Sequence, residues 1–347
     1  MSLQPEDGQS YGYQAFAQFA SGESGQAEEN ARKATELPNG EAFKTLLATI
    51  YYSEGKYKLV SSQLSNNSND TFALTLLAGA ALRSGDVDTF HSLNSKIADL
   101  KGAPGGWALY ADGVAAEKNL DFTSALEKFR ACDADDDFID SACIIAAAST
   151  EARQGQYQAA KNDISLAVNR YPADHSALAE AIFIDLLTGD VEHATQMHSQ
   201  LKALPSISQD EFSDCLYYYG INQSSLAEPY CSEATRDSPE SGVAWSNAGY
   251  VAIDEGDFAS AARYFTKAKD IYDSSKEKHT VTEELDLSWG IAITLYGSGD
   301  RKDAKALYRA IKKTYPEFSN LSTLKQLPLL WSERTQALIG QVIAEFR

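Results

Sequence analysis

The turn at Glu255-Gly256-Asp257 has eight counterparts along the chain, and their spacing constrains the fold more than any other feature. The markers are Gly22, Gly55, Gly85, Leu120, Gly155, Gly189, Asn222, Gly256 and Gly299, at intervals of 33, 30, 35, 35, 34, 33, 34 and 43 residues. Seven of the nine are glycine in a chain with only 22, so glycine is placed here and not scattered. Without a Cβ, glycine ends a helix in a left-handed turn at no steric cost. A small residue follows most markers, as at Ala27, Ala125, Ala160, Ala194, Ala227, Ala261 and Ala304. Pro172, Pro239 and Pro316 stop three units at the same place. An unrelated helical bundle has no reason to keep such a period.

The unit Ala244 to Tyr272 shows what each repeat is built from. Trp245, Ala248, Gly249 and Ala252 fall on one helical stripe, and Phe258, Ala261, Phe265 and Ala268 on another. Gly249 and Ala261 let two helices approach closely, with Trp245 and Phe265 expected above and below the crossing. Asp257 is placed to cap the second helix.

These residues resemble the tetratricopeptide repeat, a helix–turn–helix unit of about 34 residues with the pattern W-x2-L-G-x2-Y…A-x3-F…P. Trp245, Gly249, Ala261, Phe265 and Ala268 match it; Ala248 and Ala252 are smaller than its Leu and Tyr, and Asp273 replaces its proline. The chain is therefore expected to be all-α, an α-solenoid of about nine such repeats with a C-terminal capping helix.

Residues 1–10 read as a flexible polar tail, in which Met1-Ser2-Leu3 looks like an added start that leaves room for a removed signal sequence. The repeat array spans 11–318, with an insertion at 273–284 that is either a loop or an extension of the flanking helices. Residues 319–347 form the capping segment, with Leu338, Val342, Ile343 and Phe346 on its apolar side. Repeat three has Phe90 where its neighbours have a small residue. No apolar run reaches the roughly 18 residues that span a bilayer.

The net charge of −19 is uneven. Residues 1–256 hold 16 Lys+Arg against 37 Asp+Glu, while 257–347 hold 14 against 12. Such an acidic body repels phosphate backbones, which argues against nucleic acid as a partner. The basic run Arg301, Lys302, Lys305, Arg309, Lys312 and Lys313 reads as a solvated outer face, with an electrostatic docking patch as the alternative.

The cysteines fall into two local pairs, Cys132 with Cys143 and Cys215 with Cys231. Cys215 aligns with Gly249 and Cys231 with Phe265, on either side of one helix crossing. Disulfides are favoured over buried thiols, which favours the periplasm or another oxidising compartment over the cytoplasm.

Motifs for chemistry are weak. Asp133, Asp135 and Asp137 alternate as in a calcium loop, but Phe138 and Ile144 occupy the places of its Gly and bidentate Glu. His193 and His198 fall on different sides of a helix, and His198 aligns with Phe265. No nucleotide, hydrolase or zinc motif occurs. The expectation is no catalytic residue, metal or cofactor.

The resemblance implies a concave groove lined by the first helices of the repeats. Its positions here are Phe72, Leu76, Trp107, Tyr110, Phe183, Phe212, Leu216, Tyr250 and Trp289, with Ser53, Thr75, Ser149, Ser246 and Asn247 between them. About half are expected to be buried between units, and the rest to form an aromatic binding surface. A clamp for terminal carboxylates is argued against, because Thr45, Leu46, Thr49, Phe72, Thr75, Leu76 and Gly79 include no base. The expected function is a non-catalytic scaffold for a protein or peptide partner. The alternatives are a glycan-binding protein, with Trp107, Tyr250 and Trp289 stacking on sugars, or the targeting region of a larger enzyme.

Overall fold

A computed structural model describes residues 7–204, 211–275 and 278–347, so Met1-Ser2-Leu3 lies outside the described residues. Among these residues there are twenty α-helices and no strand. In pairs they are α1 (Gly8–Ala20) and α2 (Ser24–Glu36), α3 (Lys44–Ser53) and α4 (Tyr57–Gln63), α5 (Thr71–Arg83) and α6 (Val87–Lys101). Next come α7 (Gly106–Lys118) and α8 (Phe122–Asp133), α9 (Ala142–Arg153) and α10 (Tyr157–Arg170), α11 (His175–Leu187) and α12 (Val191–Ala203). The last three pairs are α13 (Glu211–Gly220) and α14 (Ser224–Asp237), α15 (Gly242–Glu255) and α16 (Phe258–Ser274), α17 (Val281–Gly297) and α18 (Arg301–Thr314). A short α19 (Leu321–Leu324) and the terminal α20 (Glu333–Phe346) follow.

All nine turn markers are left-handed, with φ between 58° at Asn222 and 91° at Gly299. Leu120 is among them at 63°, although a Cβ disfavours that conformation. The second helix of a pair then starts on an aspartate cap at several repeats; Asp257 accepts from the Ser260 amide at 3.0 Å.

One boundary differs from the sequence reading. Helix α1 begins at Gly8, inside the segment expected to be a tail, because Asp7 caps it through the Gln9 amide. The 273–284 insertion is partly an extension of the flanking helices, one of its two expected forms: α16 runs on to Ser274, and α17 starts at Val281 on a Thr280–Glu283 capping box.

By its contacts the chain divides into two compact units. Unit 1 comprises Met1–Gly113 and Glu127–Asp140, and unit 2 comprises Val114–Leu126 and Ser141–Arg347. In unit 1, Asp135 accepts from the Gly106 amide at 2.7 Å, and Lys101 pairs with both Asp135 and Asp137. Those carboxylates anchor the start of α7.

Unit 2 shows the expected close crossing. A Cβ on Gly249 would stand 2.7 Å from the Phe265 ring, so only glycine lets the two helices sit this close. Trp245 differs from expectation: it is half-buried at the repeat junction, where its indole donates to the Pro239 carbonyl at 3.0 Å. In the neighbouring repeat the crossing is covalent. The Cys215 and Cys231 sulfurs are 2.01 Å apart, joining α13 to α14, and no described cysteine is free.

The last repeat is closed by α20, which buries Ile339, Val342 and Ile343 and packs on α15, α17 and α18. Polar groups fix where it docks. Ser332 Oγ donates to Asp254 Oδ1 at 2.7 Å, and the Ser332 amide donates to the Tyr219 hydroxyl at 3.1 Å. Trp331 Nε1 donates to Asp286 Oδ1 at 2.8 Å.

Candidate functional site

Four of the nine groove positions expected from the sequence are core, about the half expected to be buried. Leu76 and Trp107 are 2 % exposed, Tyr250 2 % and Trp289 0 %. Each is drawn in by a specific neighbour. Trp107 packs edge-on against Phe138 at 4.9 Å, under Arg83. Gly79 supplies the room beside it, since a Cβ there would lie 2.6 Å from the indole nitrogen. Tyr250 stands edge-on to Phe265, and its hydroxyl donates to the Asp286 carbonyl at 2.5 Å. Trp289 faces Tyr308 across 6.0 Å. These side chains offer nothing for a ligand to stack on, which removes the support for a sugar-binding surface. Phe72, Tyr110, Phe183 and Leu216 are half-buried, and Phe212 is exposed.

His198 fills its crossing, as its alignment with Phe265 implies. It stacks on Tyr217 at 3.8 Å and reaches Asp214 at 2.8 Å. Burial would raise the Asp214 carboxyl, but hydrogen bonds from His198 and Lys202 outweigh it and hold the group low. The carboxylate therefore stays charged and locked in place.

Unit 2 carries a different site, called the inner cavity below. A cavity of about 370 Å³ opens where the ends of α7 and α9 come near the start of α15, the end of α16 and the start of α17. Its walls mix charged groups, Glu117, Lys118, Arg153, Glu240, Lys278 and Glu283, with an equal apolar part that includes Val114, Val243, Ile271 and Tyr272.

Arg153 organises this wall. Its Nη1 lies 2.7 Å from Glu117 Oε1 and its Nη2 3.2 Å from Glu283 Oε1. The planar guanidinium can serve two carboxylates at once, which a lysine ammonium does less well. Tyr272 closes another side, its ring resting on Gly242, where a Cβ would approach to 2.8 Å. His279 Nε2 is 3.2 Å from the Tyr272 carbonyl, so that nitrogen carries the proton. Burial raises the Tyr272 hydroxyl, which stays neutral.

Next to this wall lies Glu180 on α11. Burial, with the negative Glu117 adding to it against a Ser149 hydrogen bond, pushes its carboxyl up to about 7. Its Oε1 is sealed from solvent without a hydrogen-bond partner.

The groove mapping missed Arg153, Lys118, Glu117 and Glu283. One signal was available: Lys118 and Arg153 both stand two residues before their turn markers, Leu120 and Gly155. That repeated position puts successive bases on the same edge of the array.

A larger concavity of about 520 Å³ lies beside Asn222, Asp254 and Arg334. Its polar groups already serve the cap: Asn222 Oδ1 accepts from the Glu333 amide at 3.0 Å, and Asp254 Oδ2 from Ser224 at 2.9 Å. The basic run on α18 is mostly exposed, with Arg301 stacked over the Tyr296 ring at 3.3 Å.

No protein-family model and no curated protein matches the chain. Among solved structures it is similar to the APC/C hetero-tetramer Cut9-Hcn1, at 10% identity and TM-score 0.54, covering 96% of this chain and 76% of that one. It is also similar to a tetratricopeptide repeat protein from Parabacteroides merdae, at 11% identity and TM-score 0.39, covering 97% and 98%. A third is PilW, a type IV pilus biogenesis factor, at 14% identity and TM-score 0.44, covering 67% and 97%. At such identities the likeness speaks of fold and not of activity. With nine left-handed turns at the repeat period and a glycine–aromatic crossing between paired helices, the chain has the architecture of a helix–turn–helix repeat solenoid of the tetratricopeptide kind.

Proposed function

We propose that this protein is a non-catalytic scaffold that holds a segment of a protein partner in the inner cavity of unit 2. The observation that carries this reading is the cavity itself, walled by helix ends from repeats four, five, eight and nine. A concave site with a few convergent polar groups among apolar ones is where ligands settle. Three of its charged groups are tied together, Arg153 being held by Glu117 and Glu283, which suits recognition of a partner segment. The net charge of −19 favours protein over nucleic acid. The Cys215–Cys231 bond supports an oxidising compartment such as the periplasm.

The test is a photo-crosslinking amino acid at Val243, exposed on the cavity wall, against the same group at Leu226, exposed outside it. In the native host, a discrete protein adduct is expected from position 243 and none from 226. Adducts from 226 alone, or from neither, would overturn the assignment.

A further inference from the structure

Packing among the repeats of unit 2 runs between neighbours. Helix α9 lies on α10 and α11, α13 on α14 and α15, and α15 on α16 and α17. An array held together this way has no intrinsic reason to tie repeat five to repeat nine. Arg153 does tie them: its guanidinium reaches Glu283, 130 residues along the chain, while also holding Glu117. All three residues line the inner cavity, so the tie crosses its wall.

The tie is made by side chains that keep contact with water. Arg153 is 32% exposed and Glu283 30%. Ion pairs of that exposure are weak, and salt screens them. The partners are nevertheless well placed. Glu283 is fixed by its second role in the α17 capping box, accepting from the Thr280 amide at 2.7 Å. Phe122 lies under the guanidinium, 5.4 Å from ring centre to Arg153. A weak bond between well-positioned groups opens easily and recloses in register.

We propose that the Arg153–Glu283 ion pair is the latch of the inner cavity, holding repeat five to repeat nine when the cavity is empty and parting to admit the partner segment. The latch rests on the reading of this cavity as the partner site. The cavity then has two widths, and ionic strength shifts the balance between them.

The test uses the full chain with spin labels on ketone-bearing residues at Gln154 and Lys278, chemistry that leaves the disulfides untouched. Both positions are exposed, on opposite sides of the tie. Glu283→Gln removes the charge but keeps an acceptor for the capping box, and Arg153→Gln breaks the pair from the other side. In low salt, both variants are expected to give a longer and broader distance distribution than the parent. Molar salt is expected to move the parent to the same distribution and leave the variants where they are. Identical distributions for parent and both variants in low salt would overturn the latch. Crosslinking from position 243, repeated in Glu283→Gln, separates the two readings. An open distribution with increased adduct supports both. An open distribution with no adduct keeps the latch and removes the partner site. An unchanged distribution with undiminished adduct keeps the site and removes the latch.

Discussion

Replacing Gly249 with leucine tests the packing from which the repeat assignment is built. A Cβ on Gly249 would lie 2.7, 2.8 and 3.0 Å from three atoms of the Phe265 ring. The ring would have to retreat by roughly 0.7 Å to restore ordinary contact near 3.5 Å. It has nowhere to go. Phe265 is 1% exposed, and its other edge lies against Gly290, where a Cβ would come within 2.3 Å. Tyr250 stands edge-on to it at 5.1 Å. Overpacking a site without slack costs about 1–3 kcal/mol. Alanine recovers about 1 kcal/mol in helix propensity over glycine, so Gly249→Ala nets a small loss. Leucine carries three more carbons into the same gap, so Gly249→Leu reaches the upper end, about 3 kcal/mol. For a unit of this size that lowers Tm by about 6–12 °C. Circular dichroism melts of both variants, with urea titrations, measure it. Adding Phe265→Leu to Gly249→Ala should recover part of the loss, because the two changes act on one contact. A Gly249→Leu protein melting within about a degree of the parent, or strict additivity in the double variant, would refute the argument.

Glu180, with its carboxyl pushed up to about 7, makes stability depend on pH. The folded state keeps a proton that the unfolded chain releases from about 4.5 upward, so stability falls as pH rises through that window and levels off above 7. Glu180→Gln is expected to flatten this slope and to exceed the parent by about 1–2 kcal/mol near pH 8; urea midpoints near pH 5 and pH 8 check it, and parallel profiles count against it. Removing the Cys215–Cys231 bond, which spans 16 residues, by Cys215→Ala with Cys231→Ala is expected to cost about 3 kcal/mol. An unchanged urea midpoint would show that the bond does not constrain the unfolded chain.

The turns were legible because their chemistry is local. A left-handed residue must follow each first helix, and glycine supplies it at seven markers. Leu120 and Asn222 were found only because the period required a turn there. The groove was not legible, for a physical reason. Position in a repeat tells which side of a helix a residue occupies, but not which neighbouring side chain covers that side. Trp107, Tyr250 and Trp289 are covered by Phe138, Phe265 and Tyr308, and sequence spacing alone does not weigh such pairings. The inner cavity depends on curvature that brings Glu283 to Arg153. That curvature is a sum of small rotations between repeats, and no residue type announces it.

The docking of α20 decides how this chain carries load. The cap is bonded not only to the last repeat but to Asp254 and Tyr219, 78 and 113 residues upstream of Ser332. A pull on the C-terminus is therefore felt at Asp254 and Tyr219 before α17 and α18 are stretched. Peeling cannot start with repeat nine alone, since its release requires the Ser332 anchor to break first. The C-terminal end of the array, where a helical stack would ordinarily fray, is here fastened to its own interior.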